Sequence, residues 1–269
     1  MISTGLKKID DFLSGGIPDG VIVDIFGGNG TGKTQLLLQL SINSIKNGGK
    51  VLFLDTTGGF RPERILEIQK KSNSNLNLLN NIIVSRITNT SEQINSIKNG
   101  GNVLFLDTTG GFRPERILEI QKKSNLDINL LDKITVSRIT NTSEQINLLN
   151  TLVESNFSLI VIDNVTDLFS YEYKNNKSIF EKNSLFMKYM HDLSAYAISH
   201  KIPIVITNMI RNMDDKEIEN MANAIDLFTH IKIHLSKNSS IFNGEIYSAF
   251  NKESFSYRIT TSGITSDNY

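Results

Sequence analysis

Eight consecutive residues constrain this chain more than any others: Gly27, Gly28, Asn29, Gly30, Thr31, Gly32, Lys33 and Thr34. They satisfy the pattern Gly-x-x-x-x-Gly-Lys-Thr, and their surroundings give it force. Val21 to Phe26 reads as an apolar strand and Gln35 to Ile45 as a buried helix, so the glycine-rich run must turn the chain from strand into helix. Such a turn aims several backbone N–H groups at one point, where the helix N-terminus adds positive partial charge. A nucleoside triphosphate fits that chemistry. The glycines let the backbone approach the phosphates, Lys33 reaches the β and γ oxygens, and Thr34 ligates Mg²⁺, so the expected cofactors are ATP and Mg²⁺.

A second element belongs with the first. Ser158-Leu159-Ile160-Val161-Ile162-Asp163 is an apolar run ending in an acid, the pattern of a central parallel strand that delivers a carboxylate at its C-terminal end. Asp163 is therefore the second expected magnesium residue. The 269 residues carry 28 basic and 28 acidic side chains, so no net field draws the whole molecule onto a polyanion, and any DNA contact must be local. The absence of cysteine excludes a disulfide framework and thiolate zinc, and fits a reducing compartment. No signal-peptide pattern opens the chain, and no apolar run approaches the roughly 18 residues that span a bilayer. A cytoplasmic protein without a membrane partner is expected.

The chain also contains a copy of part of itself. Ser44 to Asn73 recurs as Ser96 to Asn125 with only Lys50 changed, to Asn102, and Val84 to Asn95 recurs as Val136 to Asn147. The period is 52 residues. Each copy reads as β-α-β-α: Val51 to Leu54 and Ile82 to Ile87 are strands, Pro62 suits a first helical turn, and Thr90 or Ser91 can cap the second helix. Two copies are too few for a solenoid. The expected organisation is a single α/β domain over residues 1–269, with tandem units at about 44–95 and 96–147. Removing one period leaves 217 residues in which the order of elements is unbroken.

Several segments together resemble the core of the RecA/RadA-type recombinases, a resemblance that covers nearly the whole chain. Thr4-Gly5, Ile9 to Leu13 and Gly15-Gly16-Ile17 look like the entry to that core. Asp55-Thr56-Thr57-Gly58-Gly59-Phe60-Arg61-Pro62-Glu63-Arg64, repeated from Asp107 to Arg116, resembles the family's Asp-Thr-Glu-Gly-x-Phe-Arg-Pro-Glu-Arg segment. Ser137-Arg138, Asn141-Thr142, Pro203 to Asn208 and Phe255 to Gly263 continue the likeness in order. It implies a P-loop ATPase fold with a mostly parallel sheet flanked by helices and closed by antiparallel strands near Thr229–Leu235, Glu245–Phe250 and Phe255–Thr260.

The resemblance is nearest to the short archaeal RadB-like paralogues. It implies a DNA repair and recombination role, with a main recombinase, single-stranded DNA and other copies of the chain as expected partners. It also shows two departures. The glutamate that activates the attacking water in the family is Thr57 in one copy and Thr109 in the other, and the γ-phosphate-sensing glutamine is Met209. A threonine is no general base near neutral pH, so weak or regulated hydrolysis is expected, with Asp55, Asp107, Glu63 and Glu115 as substitute carboxylates. The alternatives are a filament-forming, DNA-dependent ATPase and a non-enzymatic ATP-gated scaffold of the KaiC-like branch.

In the family, two loops line the DNA path. Here the first falls near Ser170 to Lys182, where Tyr171, Tyr173, Lys174, Lys177 and Lys182 suit base stacking and phosphate contact. The second, Met209 to Asn223, sets Arg211 and Lys216 against Asp214, Asp215, Glu217 and Glu219, a poor match to a polyanion. His230 and His234 lie four residues apart on an alternating segment, about 13 Å along a strand, which is too far to share one zinc ion. If the spare unit is an insertion, deleting Val51 to Asn102 leaves a soluble protein that binds ATP by calorimetry; insolubility or lost binding refutes it.

Overall fold

A strand apolar on both faces must lie inside a sheet covered on both sides, and β1 (Ile22–Gly27) has that pattern. The computed structural model describes residues 1–55, 64, 82–85, 103–106, 134–137, 141–151, 157–173, 179–213, 216–260 and 263–266. Strand β1 pairs in parallel with β7 (Ile204–Met213) on one side and β9 (Ile231–Asn238) on the other. Beyond β7 the parallel order continues through β6 (Leu159–Asp163), β2 (Val51–Asp55) and β3 (Ile82–Ser85). Beyond β9 it turns antiparallel through β10 (Ile241–Ser248), β11 (Lys252–Thr260) and β12 (Gly263–Ser266). The expected α/β class, mostly parallel sheet and closing antiparallel strands are what the chain forms.

Alternation along the strands divides the core in two. Val23, Ile25, Phe53, Val161 and Val205 face one side, where they pack with Leu36, Leu37 and Leu40 of α2 (Lys33–Lys46) and Ile9 of α1 (Lys7–Phe12). Ile22, Leu52, Ile160, Ile162 and Ile204 face the other, against a long helix that follows β6. In chain order the intervening helices are α3 (Thr142–Thr151), α4 (Asp167–Glu172) and that long helix, α5 (Ile179–His200); α6 (Ala222–Phe228) precedes β9. The helical spacing of Phe186, Tyr189, Met190, Leu193, Tyr196 and Ala197 predicts a core-facing stripe, and all six are buried on α5. No helix among the described residues is long and apolar enough to cross a membrane.

Both ends of the chain close over α2. Gln39 Nε2 donates to the carbonyls of Thr4 and Ile264, each at 3.0 Å, which joins the N-terminal segment to β12. Asp10 holds the entry turn by accepting from Thr4 N and Thr4 Oγ1, both at 2.7 Å.

The duplicated units are used unequally. Strands β2 and β3 of the first copy lie in the main sheet, while among the described residues β4 (Val103–Leu106) and β5 (Ile134–Ser137) of the second form a separate parallel ladder beside β3. Helix α3, also from the second copy, reaches the main core through the buried Gln145 and half-buried Ile146. Its N-terminus is capped one residue earlier than the equivalents of Thr90 and Ser91 predict, with Asn141 Oδ1 accepting from Glu144 N at 2.9 Å. Thr90 and Ser91 themselves lie outside the described residues. The segment Met209 to Asn223, read from sequence as a loop, is largely a hairpin: β7 continues to Met213 and β8 (Lys216–Glu219) returns antiparallel to it before α6 begins. Mixed polar and apolar residues without a regular alternation concealed this hairpin, whose two strands are joined by an antiparallel ladder.

One buried acid interrupts the apolar pattern of β1. Asp24 is fully buried, neither carboxylate oxygen accepts a hydrogen bond, and Lys232 Nζ on the adjacent strand stands 3.7 Å away. Lys232 is 2.5 Å from both Glu219 and Asp226, so it does not depend on Asp24 for a partner. Burial, then the nearby charge of Glu219, pushes the Asp24 carboxyl well above its ordinary range. A raised carboxylate pKa contributes stability that is complete below the unfolded value and is lost as pH rises through the folded one. Asp24→Asn should therefore raise the unfolding midpoint near pH 8, with a gain of about 1.4 kcal/mol for each pKa unit removed. The gain should vanish toward pH 4 in thermal melts; a loss of stability at pH 8 would contradict it.

Candidate functional site

The turn after β1 requires glycine for a steric reason. A Cβ on Gly27 would lie 2.0 Å from the Leu235 carbonyl oxygen of β9, so only hydrogen fits where the loop leaves the sheet. Gly32 has φ +95°, in the left-handed region, and caps the start of α2 without a side chain. Within the loop Thr31 Oγ1 donates to the Gly28 carbonyl at 2.9 Å. Tyr257 of β11 donates its hydroxyl to the Thr31 carbonyl at 2.5 Å, so the antiparallel strands brace the loop from outside. Burial pushes that phenol's pKa upward and keeps it a donor.

Lys33 folds onto the loop that precedes it. Its ammonium donates to the carbonyls of Gly27 at 2.9 Å and Gly28 at 2.8 Å. Burial lowers its pKa, while the charges of Asp163 and Asp167 act in the opposite direction. Thr34, the next residue, donates its hydroxyl to Asp163 Oδ2 at 2.7 Å, and Thr207 of β7 donates to Asp163 Oδ1 at 2.5 Å. The buried Asp163 carboxyl is pushed up to about 6, first by desolvation and further by the charge of Asp55; the Thr207 and Thr34 hydroxyls and Lys33 pull the other way. Asp55 earns its influence by register, since it is the strand partner of Asp163 across β2 and β6.

These groups open onto a cavity of about 560 Å³ lined by Asn29, Gly30, Gly32, Lys33, Thr34 and Asp163, with Asn164, Asp167, Met209 and Ile259 completing it. Of the expected magnesium and phosphate residues, Asn29, Gly30, Gly32, Lys33, Thr34 and Asp163 line this cavity, while Gly27, Gly28 and Thr31 are not among its lining residues. A cationic head, a hydroxyl and a carboxylate converge beside a helix N-terminus, the arrangement that can hold a triphosphate and a divalent cation. The site also contains three residues that sequence reading passed over. Thr207 falls in the Pro203 to Asn208 segment but has no role assigned to it there, Asp167 sits in a segment with no motif, and Arg64 lies in a motif but reaches the site from the side: its Nε donates to Gln35 Oε1 at 2.8 Å and its guanidinium also donates to the Thr260 carbonyl.

Other expectations divide. Met209 lines the cavity, where a thioether offers no donor to a phosphate. Thr57, Thr109, Asp107, Glu63 and Glu115 lie outside the described residues, as do Lys174 and Lys177. Tyr171 is 68% exposed but stands on α4, and Lys182 is on α5, so the first candidate loop is shorter than its sequence bounds. Phe180, which carried no sequence signal, is 87% exposed at the start of α5. His234 is half-buried and stacks on Phe26 at 4.8 Å, whereas His230 is exposed. No group of three or more acids or histidines among the described residues is placed to hold a metal by itself.

Comparison with known proteins agrees with this geometry. The Rad51 family profile matches residues 1–101 and 93–238, and the two stretches overlap at the junction between the duplicated units. The chain is 28% identical over 220 residues to the DNA repair and recombination protein RadA of Cenarchaeum symbiosum (strain A). That alignment covers 80% of this chain and 44% of the relative, so the chain spans less than half the relative's length.

The raised Asp163 pKa has a measurable consequence. A proton on Asp163 competes with a cation, so the stabilisation produced by Mg-ATP should grow as pH rises from about 5 to about 7.5. At ligand near 100 times Kd the full gain is about 2.7 kcal/mol. Thermal melts of the natural protein should show that rise and Asp163→Asn should flatten it; an equal gain at both pH values would contradict the assignment.

Proposed function

Because the chain belongs to the Rad51 family, we propose that it is an ATP-binding DNA repair and recombination protein that assists a main recombinase and hydrolyses ATP slowly. The observation that carries this reading is the convergence of Lys33, Thr34 and Asp163 on one cavity whose remaining wall includes Met209. Lys33 would release the loop carbonyls and neutralise the β and γ phosphates, while the backbone N–H groups of the loop hold them. Thr34 and Asp163 would hold Mg²⁺, which when bound screens phosphate charge and orients the terminal phosphate. Thr207 keeps the Asp163 carboxylate aimed at that position. Met209 supplies no hydrogen bond to a γ-phosphate, and threonine stands at both family base positions, which together favour binding over turnover.

Support for DNA as partner comes from the same edge of the molecule. Tyr171 and Phe180 expose aromatic rings on either side of residues 174–178, and Lys182 stands on the next helix; exposed rings and cations are the elements of a sequence-tolerant single-strand contact. With equal numbers of acidic and basic side chains overall, such a contact would be weak and strongly salt-dependent. The runner-up, a working DNA-dependent ATPase, is favoured by one observation: the buried Asp55 carboxylate at the end of β2, next to Asp163.

Phosphate release from saturating Mg-ATP, with and without single-stranded DNA, separates the two. The accessory reading expects negligible turnover, tight ATP binding that Lys33→Ala abolishes, and a gain of about 10²- to 10⁴-fold when Thr57→Glu or Thr109→Glu restores a base. Turnover in the natural protein that depends on Lys33 and rises with DNA would establish the runner-up.

A further inference from the structure

The seat beside β6 has one occupant and two qualified candidates. In the structure β2 pairs with β6 through Val51↔Leu159, Leu52↔Ile160, Phe53↔Val161, Leu54↔Ile162 and Asp55↔Asp163. The second copy presents the same five residues in the same order, Val103 to Asp107. Its strand β4 already pairs with β5 in the register that β2 uses with β3, each partner lying 31 positions further on. Among the four residues of the outer strand, β3 and β5 differ only at Ile83 and Thr135. The β4–β5 pair lies beside β3 at the open edge of the main sheet without joining its hydrogen-bonded ladder, and a parallel pair of two strands with no ladder of its own to a larger sheet is marginal.

The connections are as symmetric as the strands. In the observed arrangement four residues, 47–50, join α2 to β2, and 56 residues, 86–141, join β3 to α3. If β4 and β5 took the seat while α2 and α3 stayed in place, 56 residues, 47–102, would join α2 to β4, and four, 138–141, would join β5 to α3. One short and one long connection serve either arrangement, so loop-closure entropy does not choose between them. The close contacts at the mouth of the seat are equally indifferent. A Cβ on Gly49 would collide with Ser158, and Ser158 N donates to the Lys50 carbonyl at 2.8 Å. The second copy supplies Gly101 and the backbone carbonyl of Asn102 at those places.

We propose that the two copies are interchangeable occupants of the seat beside β6, so that either Asp55 or Asp107 stands next to Asp163 at the cavity, and the 52-residue unit left over is 86–137 or 51–102 accordingly. Ile83 favours the first copy, because a β-branched apolar residue suits a strand packed in a large sheet better than Thr135 does. The exchange is a property of the fold and holds whether or not the cavity binds ATP.

The chain has no cysteine, so introduced pairs report without interference. Registered residues on neighbouring strands lie about 5 Å apart, within disulfide reach. In the full-length chain, Val51→Cys with Leu159→Cys and Val103→Cys with Leu159→Cys should both give intramolecular disulfides on mild oxidation, identified by mass after digestion. Exchanging Ile83→Thr with Thr135→Ile should shift yield toward the second pair several-fold. The proposal fails if the 51–159 link forms fully while 103–159 forms not at all, or only between molecules, although the same 103–159 pair closes in a chain lacking residues 51–102. Hydrogen exchange on the natural chain gives a second reading without substitutions. Peptides holding Lys50 or Asn102 differ in mass, and their protected fractions should be complementary; full protection of the first strand in every molecule, with none of the second, overturns the exchange.

Discussion

The carboxylate of Asp163, held between the hydroxyls of Thr34 and Thr207, is the interaction on which the rest of the site depends. It joins the first turn of α2 to the C-terminal end of β6 and to Thr207 within β7, three elements separated by long stretches of chain. A buried carboxylate costs free energy unless donors surround it, and here two hydroxyls and the nearby Lys33 ammonium offset part of that cost. What remains uncompensated raises the Asp163 pKa. The polar cavity is thus built into an apolar sheet at the single edge where all the central parallel strands end.

From that edge a continuous polar path leads away to the hairpin. Asn164 Oδ1 accepts from Thr166 N at 2.9 Å, the Thr166 hydroxyl donates to Asn208 Oδ1 at 2.8 Å, and Asn208 Nδ2 donates to Glu219 Oε1 at 2.9 Å. Glu219 then pairs with Lys232, beside the buried Asp24. The base of the β7–β8 hairpin is therefore fastened to the residues next to Asp163, even though Met209 contributes no side-chain donor. Nearly all of these groups are buried, so each lost bond would leave a polar atom without water, and the path resists piecemeal rearrangement.

Much of this was legible in the linear sequence, and for identifiable reasons. The glycine-rich turn is contiguous, the strand ending in Asp163 has a composition and a terminus that betray its burial, and α5 announces its stripe through helical spacing. Less was legible where pairing replaces burial as the organising force. Strand β8 is mostly charged and the far half of β7 mixes Met209, Ile210 and Met213 with Arg211 and Asn212, so no alternating apolar face marks their hydrogen-bonded ladder. Asp24 was hidden for the opposite reason, because five apolar neighbours make its strand look wholly apolar. Thr207 stood in a segment quoted for its likeness, but nothing in the neighbouring residues says that its hydroxyl reaches Asp163.

The sequence by itself determined the class of fold, the location of the glycine-rich turn between β1 and α2 and the existence of a repeated unit, because each is written in neighbouring residues whose chemistry acts locally. Only the tertiary structure decided that Thr34, Asp163 and Thr207 share one carboxylate, that Lys232 serves three acids, and that the first copy's strands sit beside β6 while α3 comes from the second. Those outcomes depend on the order of strands in the sheet, β1 between β9 and β7 and β6 next to β2. That order is set by burial and connection geometry across the whole chain, which no local pattern of residues encodes.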